Sequence, residues 1–388
     1  MATIKKDKDG MFVVRATIGT REKNHEIRRK FKRQSEAKKF ANNLELQVGR
    51  GGDMAGSNIS LTEFFRQWIT VYKLGKKSES TDKWYQTALG YVEEYFGARP
   101  MSSITKMQYQ EFINYLGETD RKTIGHPLAK TTVSRVNHYI RTCIQDAIES
   151  GIINFDFTRK VEIVGMDGKP ENEKFLSLTN LNKVLKLAMN GASMRHMADY
   201  IIITQALTGA RYEEAVGLSW DRIDFDNKLI KFDRSWVYKK RIEFDNFGPL
   251  KNKPSYRTIP IPDKLVDVLK QLQQEQSELF DKTGYKDKNN LVFRNADHMI
   301  INNGAANSTL AGLCKRAKVG YKITTHGLRH THGSILIYDG VELMSISKRL
   351  GHNDLQTTLE TYAHEIDEMK TRDDEKIVKS LDKLAILK

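Results

Sequence analysis

Two imidazoles, a guanidinium and a phenol fall within 37 residues near the carboxyl end. They are His326 and Arg329 in Thr325-His326-Gly327-Leu328-Arg329-His330, His352 in Leu350-Gly351-His352, and Tyr362 in Thr361-Tyr362-Ala363-His364. A second arginine, Arg211, stands upstream in Thr208-Gly209-Ala210-Arg211-Tyr212-Glu213-Glu214. Such a set, without a carboxylate cluster, suits chemistry on a phosphodiester carried out by protein groups instead of a metal. The linkage is protected by its own negative charge, so that charge has to be neutralised before a nucleophile can approach. An arginine fork can hold two phosphate oxygens and stays cationic. Arg211 and Arg329 are the expected clamp, and Tyr362 is the expected nucleophile, splitting one hard step into two. A phenol titrates near pH 10 when unperturbed, so cations and a base must assist it. His326 and His352 are placed to move protons or donate to the phosphate. The leaving oxygen needs an acid, for which Lys251 is the candidate. Glu214 is expected to orient a neighbour. His326 and His330, four apart, mimic a zinc pair. No third ligand lies near and Arg329 between them repels a cation, so neither metal nor cofactor is expected.

Several elements must bring these residues together. Leu181, Val184, Leu185 and Ala188 mark an amphipathic helix, and residues 197–207 read as a strongly apolar helix ending at Thr208-Gly209, just before Arg211. Ile223–Phe232 reads as a hairpin and Arg257–Ile261 as a further strand. Lys251 falls between them, with Lys253 expected on the same strand face. Helices dominate from Pro262 onward. A last stripe, Ile377, Leu381 and Leu384, belongs to a terminal helix.

Two blocks precede this one. Phe12–Ile18 and Glu26–Phe31 alternate as strands, with a turn at Asp9-Gly10, and a helix follows to about Val48 with Ser35 as its cap. From Ser60 to about Ser150 the period is helical, carried by Phe65, Trp68, Tyr85, Leu89, Val92 and Phe96. Its last helix has Thr131 and Thr132 as candidate caps and Val133, Val136, Ile140 and Cys143 on one face. That leaves Lys130 and Arg135 free to meet a phosphate backbone. The expected division is 1–50, a linker at 51–58, 59–164, a second linker at 165–174, and 175–388.

Charge names the partner class. The chain of 388 residues has a formal net charge of +14, and residues 1–50 hold fourteen Lys/Arg against six Asp/Glu. A polyanion is expected, contacted by Arg28, Arg29, Lys30 and Lys32 in the densest run. No stretch approaches the roughly 18 uncharged apolar residues of a membrane span, and the first residues carry no apolar signal core. Cys143 and Cys314 are solitary, fitting neither disulfides nor a metal knuckle. A cytoplasmic protein acting on double-stranded DNA by strand transfer is the expectation.

The motifs resemble the tyrosine recombinase (phage integrase) family, closely over residues 175–370 and loosely over the rest. The resemblance rests on Arg211 with Glu214, on Lys251, on His326 with Arg329, on His352 and on Tyr362. It looks most similar to integrases of temperate phages and integrative elements of Gram-positive bacteria. It implies a multidomain, mainly α fold with small β-sheets: a basic three-stranded arm-binding domain, a helical SAM-like core-binding domain and an α+β catalytic domain. It also implies a 3′-phosphotyrosyl intermediate needing neither metal nor ATP. The expected assembly is a homotetramer on arm and core attachment sites, with the tail helix docked on a neighbour. An excisionase and a host DNA-bending protein are further partners it suggests. Dimer resolution, topoisomerase-like relaxation and a non-catalytic DNA-binding regulator stay open as alternatives.

Overall fold

The computed structural model describes residues 2–7, 9–20, 23–38, 40–41, 59–76, 78–120, 125–170, 173–237, 246–362, 378–379 and 381–382. The chain forms two compact units, Met1–Gly168 and Lys169–Lys388. The boundary falls inside the expected second linker; the expected linker at 51–58 lies outside the described residues.

In the first unit, β1 (Ala2–Lys6), β2 (Phe12–Thr20) and β3 (Lys23–Phe31) make an antiparallel sheet in that order. Asp7–Met11 is the expected turn, with Gly10 at φ 77°. Alternation sends Val14, Phe12 and Phe31 to one face, where they meet Ala37, Phe40 and Ala41 of a short helix, α1 (34–38 and 40–41). The helix begins at Gln34, one residue before the expected cap Ser35, because Ala37 N–H already reaches the Arg33 carbonyl.

A separate core belongs to four helices: α2 (Leu61–Tyr72), α3 (Glu79–Phe96), α4 (Lys106–Glu118) and α5 (Lys130–Glu149). Leu61, Phe65, Trp68 and Ile69 form the buried stripe of α2, capped by Ser60 at the Glu63 N–H. Tyr85 of α3 stacks on Tyr139 of α5 at 4.2 Å. Thr131 and Thr132 do not cap α5. The helix starts at Lys130, whose N–H is taken by the Met166 carbonyl at 2.9 Å, so a returning strand segment does the work expected of a side chain.

The second unit is built around α7 (Met197–Thr208), which is strongly apolar and buried on nearly every side, packing with α6 (Leu178–Gly191), α9 (Asp263–Thr283), α10 (Asn303–Arg316) and α11 (Thr325–Tyr338). Gly209 closes α7 in the left-handed region and hands the chain to α8 (Tyr212–Val216). The expected hairpin is β4 (Ile223–Asp224) with β5 (Leu229–Phe232), extended by β8 (Arg257–Pro260) into a three-stranded antiparallel sheet. Beside it, β6 (Ser235–Trp236) pairs with β7 (Phe247–Gly248). Two short helices follow α11: α12 (Leu343–Leu350), ended by Gly351 at φ 68°, and α13 (Leu355–Thr361).

Candidate active site

Helix α11 spaces His326, Arg329, His330 and Gly333 at i, i+3, i+4 and i+7, so the four share one face. Its first turn is fixed by the Thr324 hydroxyl, which accepts the Gly327 N–H. Tyr362, at the end of α13, lays its ring on that face. The ring is 1% exposed and packs with Ile337, Ile346 and Leu350. It fits because position 333 has no side chain: a Cβ there would lie 2.0 Å from the phenolic oxygen. That hydroxyl donates to the Arg329 carbonyl at 3.4 Å. His330 stands between the two expected reactants, edge-on to His326 at 4.8 Å and to Tyr362 at 6.2 Å.

The C-terminal carbonyls of α12 organise the positive charges. Three consecutive ones accept from three arginines: Arg349 from Arg257 Nε at 2.6 Å, Leu350 from Arg329 at 2.5 Å, and Gly351 from Arg211 at 3.3 Å. These groups are the orphan acceptors of a helix end, at the negative pole of its dipole, which is why guanidinium groups gather there. Arg329 also donates to the Gly209 carbonyl at 2.8 Å, the matching terminus of α7. Gly351 is needed at this join, since a Cβ would sit 2.9 Å from the Pro254 carbonyl oxygen.

One carboxylate sits among these cations. Glu214, 2% exposed, accepts Arg211 Nη1 at 2.7 Å on one oxygen, and Arg257 Nη2 at 2.9 Å with the Arg211 backbone N–H at 3.0 Å on the other. Burial pushes its carboxyl pKa up, but Arg257 and Arg211 outweigh that and hold it below the ordinary carboxylate range. Arg211 makes its last contact with the Ser255 hydroxyl at 2.9 Å.

The arginines acknowledge one another electrostatically. Burial and then the Arg211 cation push Arg329 down to about 9, still charged at neutral pH. His326 opens to solvent at the rim. Desolvation, then His330, Arg329, Arg211 and Lys251 push its pKa down to about 4. His352, half-buried, is pushed to about 4 by desolvation and by Arg329 and Arg211. Its Nδ1 lies 2.7 Å from the hydroxyl of buried Thr358, which orients the ring. Both imidazoles are therefore neutral near pH 7.

Lys251 is not on a strand. The hairpin arms end at Gly248, and Asn252 caps a 3-10 turn at Lys253–Ser255, so Lys251 sits exposed in the bend before it. Lys251 and Lys253 thus do not share a strand face. Arg211, Glu214, His326, Arg329, His352 and Tyr362 are brought together, with Lys251 near enough to act on His326. Among the described residues no group of three or more His, Cys, Asp or Glu is placed to hold a metal ion. Both cysteines are free and buried.

Sequence reading missed four contributors: Arg257, Ser255, Arg349 and His332. Arg349 donates to His332 Nε2 at 2.9 Å while His332 Nδ1 meets the Ala206 carbonyl at 2.9 Å. Only Arg257 left a signal, a charged residue opening the strand expected at Arg257–Ile261.

The expected DNA-contacting residues lie in the first unit. Arg28, Arg29 and Lys30 are exposed on β3 and Lys32 just beyond it; Lys130 and Arg135 are exposed on α5. The pleat divides the basic run. Arg29 sits over the Phe40 ring at 5.4 Å on the helix side, and Lys30 pairs with Asp7 at 2.6 Å. Arg28 lies directly opposite Arg15 on β2, a like-charge pair that an anion would relieve. Arg135 rests on the Trp84 ring at 4.4 Å.

Each unit contains a span that matches a known family. Residues 60–163 match the phage integrase SAM-like domain. A "Tyrosine recombinase XerC-like" protein of Caldanaerobacter subterraneus subsp. tengcongensis is 26% identical, covering 92% of this chain and 93% of its own length. The ICEBs1 integrase of Bacillus subtilis (strain 168) is 23% identical over 84% of this chain and 86% of its own. Among solved structures, the Tn1549 transposon integrase in complex with transposon right end DNA superposes with a TM-score of 0.66 at 17% identity, over 81% of this chain and 99% of that one. A lambda integrase tetramer bound to a Holliday junction gives 0.55 at 12% identity, over 90% and 95%. Residues 174–369, half of the chain, match the phage integrase family itself, and the protein belongs to that family of tyrosine-type site-specific DNA recombinases.

Proposed function

We propose that the protein integrates and excises a mobile DNA element through a covalent 3′-phosphotyrosyl link at Tyr362. The observation that carries this reading is the convergence of Arg211 and Arg329 on adjacent carbonyls beside the face that seats Tyr362. In the forward step the phenolic oxygen bonds to phosphorus, its proton passes to a neutral imidazole, His326 or His352, and the P–O5′ bond breaks. Lys251 protonates the departing oxygen, leaving a 5′-hydroxyl. Rejoining runs the same bonds in reverse when a partner strand's 5′-hydroxyl attacks and the tyrosine leaves. Glu214 orients Arg211 and takes no proton. Because the phenol is buried, the ring swings off Gly333 before attack.

Residues 1–50 serve as the arm-binding domain, 59–164 grip core DNA and 175–388 do the chemistry, joined by linkers at 51–58 and 165–174. Arg28, Lys30, Lys32, Lys130 and Arg135 contact phosphates, with Arg15 added on the strength of its pairing with Arg28, whereas Arg29, over the Phe40 ring on the helix side, adds little to that contact. Four protomers act together on the bacterial host's cytoplasmic DNA. In the expected tail helix Leu381 is 58% exposed and Val378 57%, consistent with docking on a neighbour; Ile377 and Leu384 lie outside the described residues. An excisionase and a host bending protein would set direction. No helix among the described residues is long and apolar enough to cross a membrane.

The test uses Tyr362→Phe on nicked suicide substrates. The covalent adduct should vanish while DNA binding survives. An adduct that persists overturns Tyr362 as the nucleophile, and none with the unaltered protein on any substrate favours a non-catalytic regulator. The XerC-like relative supports a second reading, dimer resolution. Deleting residues 1–55 separates the two: integration at a full attachment site should fail while cleavage of a short core site continues.

A further inference from the structure

We propose that Arg257 is a positioning residue for strand cleavage, holding the phosphate-binding guanidinium of Arg211 in place without touching DNA itself. The guanidinium of Arg211 has three partners beyond its own backbone: Glu214, the Ser255 hydroxyl and the Gly351 carbonyl. Arg257 bonds to each of the elements that supply them. Its Nη2 reaches Glu214 at 2.9 Å, its Nη1 reaches the Ser255 carbonyl at 2.8 Å, and its Nε reaches the Arg349 carbonyl at 2.6 Å, two residues before Gly351. The Phe232 ring lies beneath it at 4.7 Å, and its side chain is only 6% exposed. Arg257 therefore faces protein on all sides and has no surface for a phosphate.

The chemistry of Glu214 explains why the strut matters. A carboxylate that is 2% exposed stays ionised only while its oxygens are matched by cations or donors. Without Arg257 one oxygen keeps a single backbone N–H, the carboxyl gains affinity for a proton, and the charge-assisted bond to Arg211 weakens. Ser255 would also lose one of its anchors, since its carbonyl is fixed by Arg257 while its hydroxyl accepts from Arg211, leaving Asn252 as the group that holds its N–H. Lysine cannot replace this fork, because one ammonium cannot reach three acceptors spread across the Lys253–Ser255 turn, α8 and α12.

This inference rests on the proposed phosphate role of Arg211, so the experiment includes Arg211→Ala. Full-length Arg257→Met and Arg257→Lys are compared with the unaltered protein on nicked suicide DNA. The scissile linkage is either an ordinary phosphate or a methylphosphonate, in which a methyl group replaces one non-bridging oxygen and removes the charge. A small displacement of a positioned group slows chemistry by about tenfold to a hundredfold, which is the defect expected of Arg257→Met in single-turnover adduct formation on phosphate. DNA affinity should stay within about threefold. On the neutral linkage the defects of Arg257→Met and Arg211→Ala should shrink together, by about tenfold. Arg257→Lys should show a smaller defect with the same substrate dependence, and it decides the matter if the methionine variant does not fold. Equal defects on both linkages, alongside selective rescue of Arg211→Ala, would overturn the inference and make Arg257 merely structural. Full activity of both Arg257 variants overturns it as well. If Arg211→Ala itself shows no rescue, the phosphate role of Arg211 falls and takes the inference with it.

Discussion

Arg211 and Arg329, 118 positions apart in the chain, donate to the carbonyls of neighbouring residues, Gly351 and Leu350, at 3.3 and 2.5 Å. Like charges are thus held side by side by one helix terminus, with Glu214 the ion-pair partner of Arg211. The arrangement concentrates positive potential beside the face that seats Tyr362, where the proposed mechanism needs a phosphate, and it is in place before any ligand arrives. A fork is needed at position 329 because it spans two helix ends. Arg329→Lys should therefore lower single-turnover cleavage by about a hundredfold or more with little change in DNA affinity. Unchanged cleavage in quench-flow measurements would show that the double anchorage is dispensable.

The seat of Tyr362 predicts a coupled pair of mutations. Alanine at position 333 suits a helix better than glycine by about 0.5–1 kcal/mol. Here its Cβ would strike the phenol, so Gly333→Ala should destabilise the protein and slow adduct formation. In a Tyr362→Ala background the same change should become neutral or stabilising, giving a coupling energy of about 1 kcal/mol or more in urea melts. Additive effects would mean that the ring does not rest on Gly333.

Acid should weaken the fold over a defined window. His326, His332 and His352 have folded pKa values near 4, below the ordinary 6.5, because desolvation and adjacent cations disfavour their charged forms. The unfolded chain therefore binds protons first as pH falls, and stability present above 6.5 declines between 6.5 and 4. Glu214, whose pKa is lowered, adds a further loss as pH drops through its folded value. Urea midpoints compared at about pH 7.5 and about pH 5 should fall at the lower pH. A flat or rising midpoint contradicts imidazoles held neutral in the folded protein.

The front sheet should bind DNA with a steep salt dependence. Each phosphate neutralised contributes about −0.9 to the slope of log K against log salt. Arg28→Ala and Arg15→Ala should each reduce that slope by about one, whereas Arg29→Ala, whose side chain lies over Phe40, should change it little. Equal effects at positions 28 and 29 would mean that the pleat does not divide the run.

Much of this protein is legible without coordinates. The apolar periods of α2, α3 and α6, the hairpin of β4 and β5, and the residue types suited to metal-free phosphoryl transfer all lie in local sequence. Local chemistry is read well because a helical stripe or a turn depends on residues only a few positions apart. Caps were misjudged at Ser35 and Thr131 where a distant or earlier backbone group took the bond instead. The role of Lys251 as a strand residue was overruled by Asn252 and its 3-10 turn. The support around Arg211 was invisible, since Ser255, Arg257, Arg349 and Gly351 lie 44 to 140 residues away in the chain. Which arginine the proposed mechanism assigns to phosphate and which to support depends on where two helix ends come to rest. That is settled by packing around α7, because the carbonyls that sort the guanidinium groups are backbone atoms, identical at every position until the fold places them.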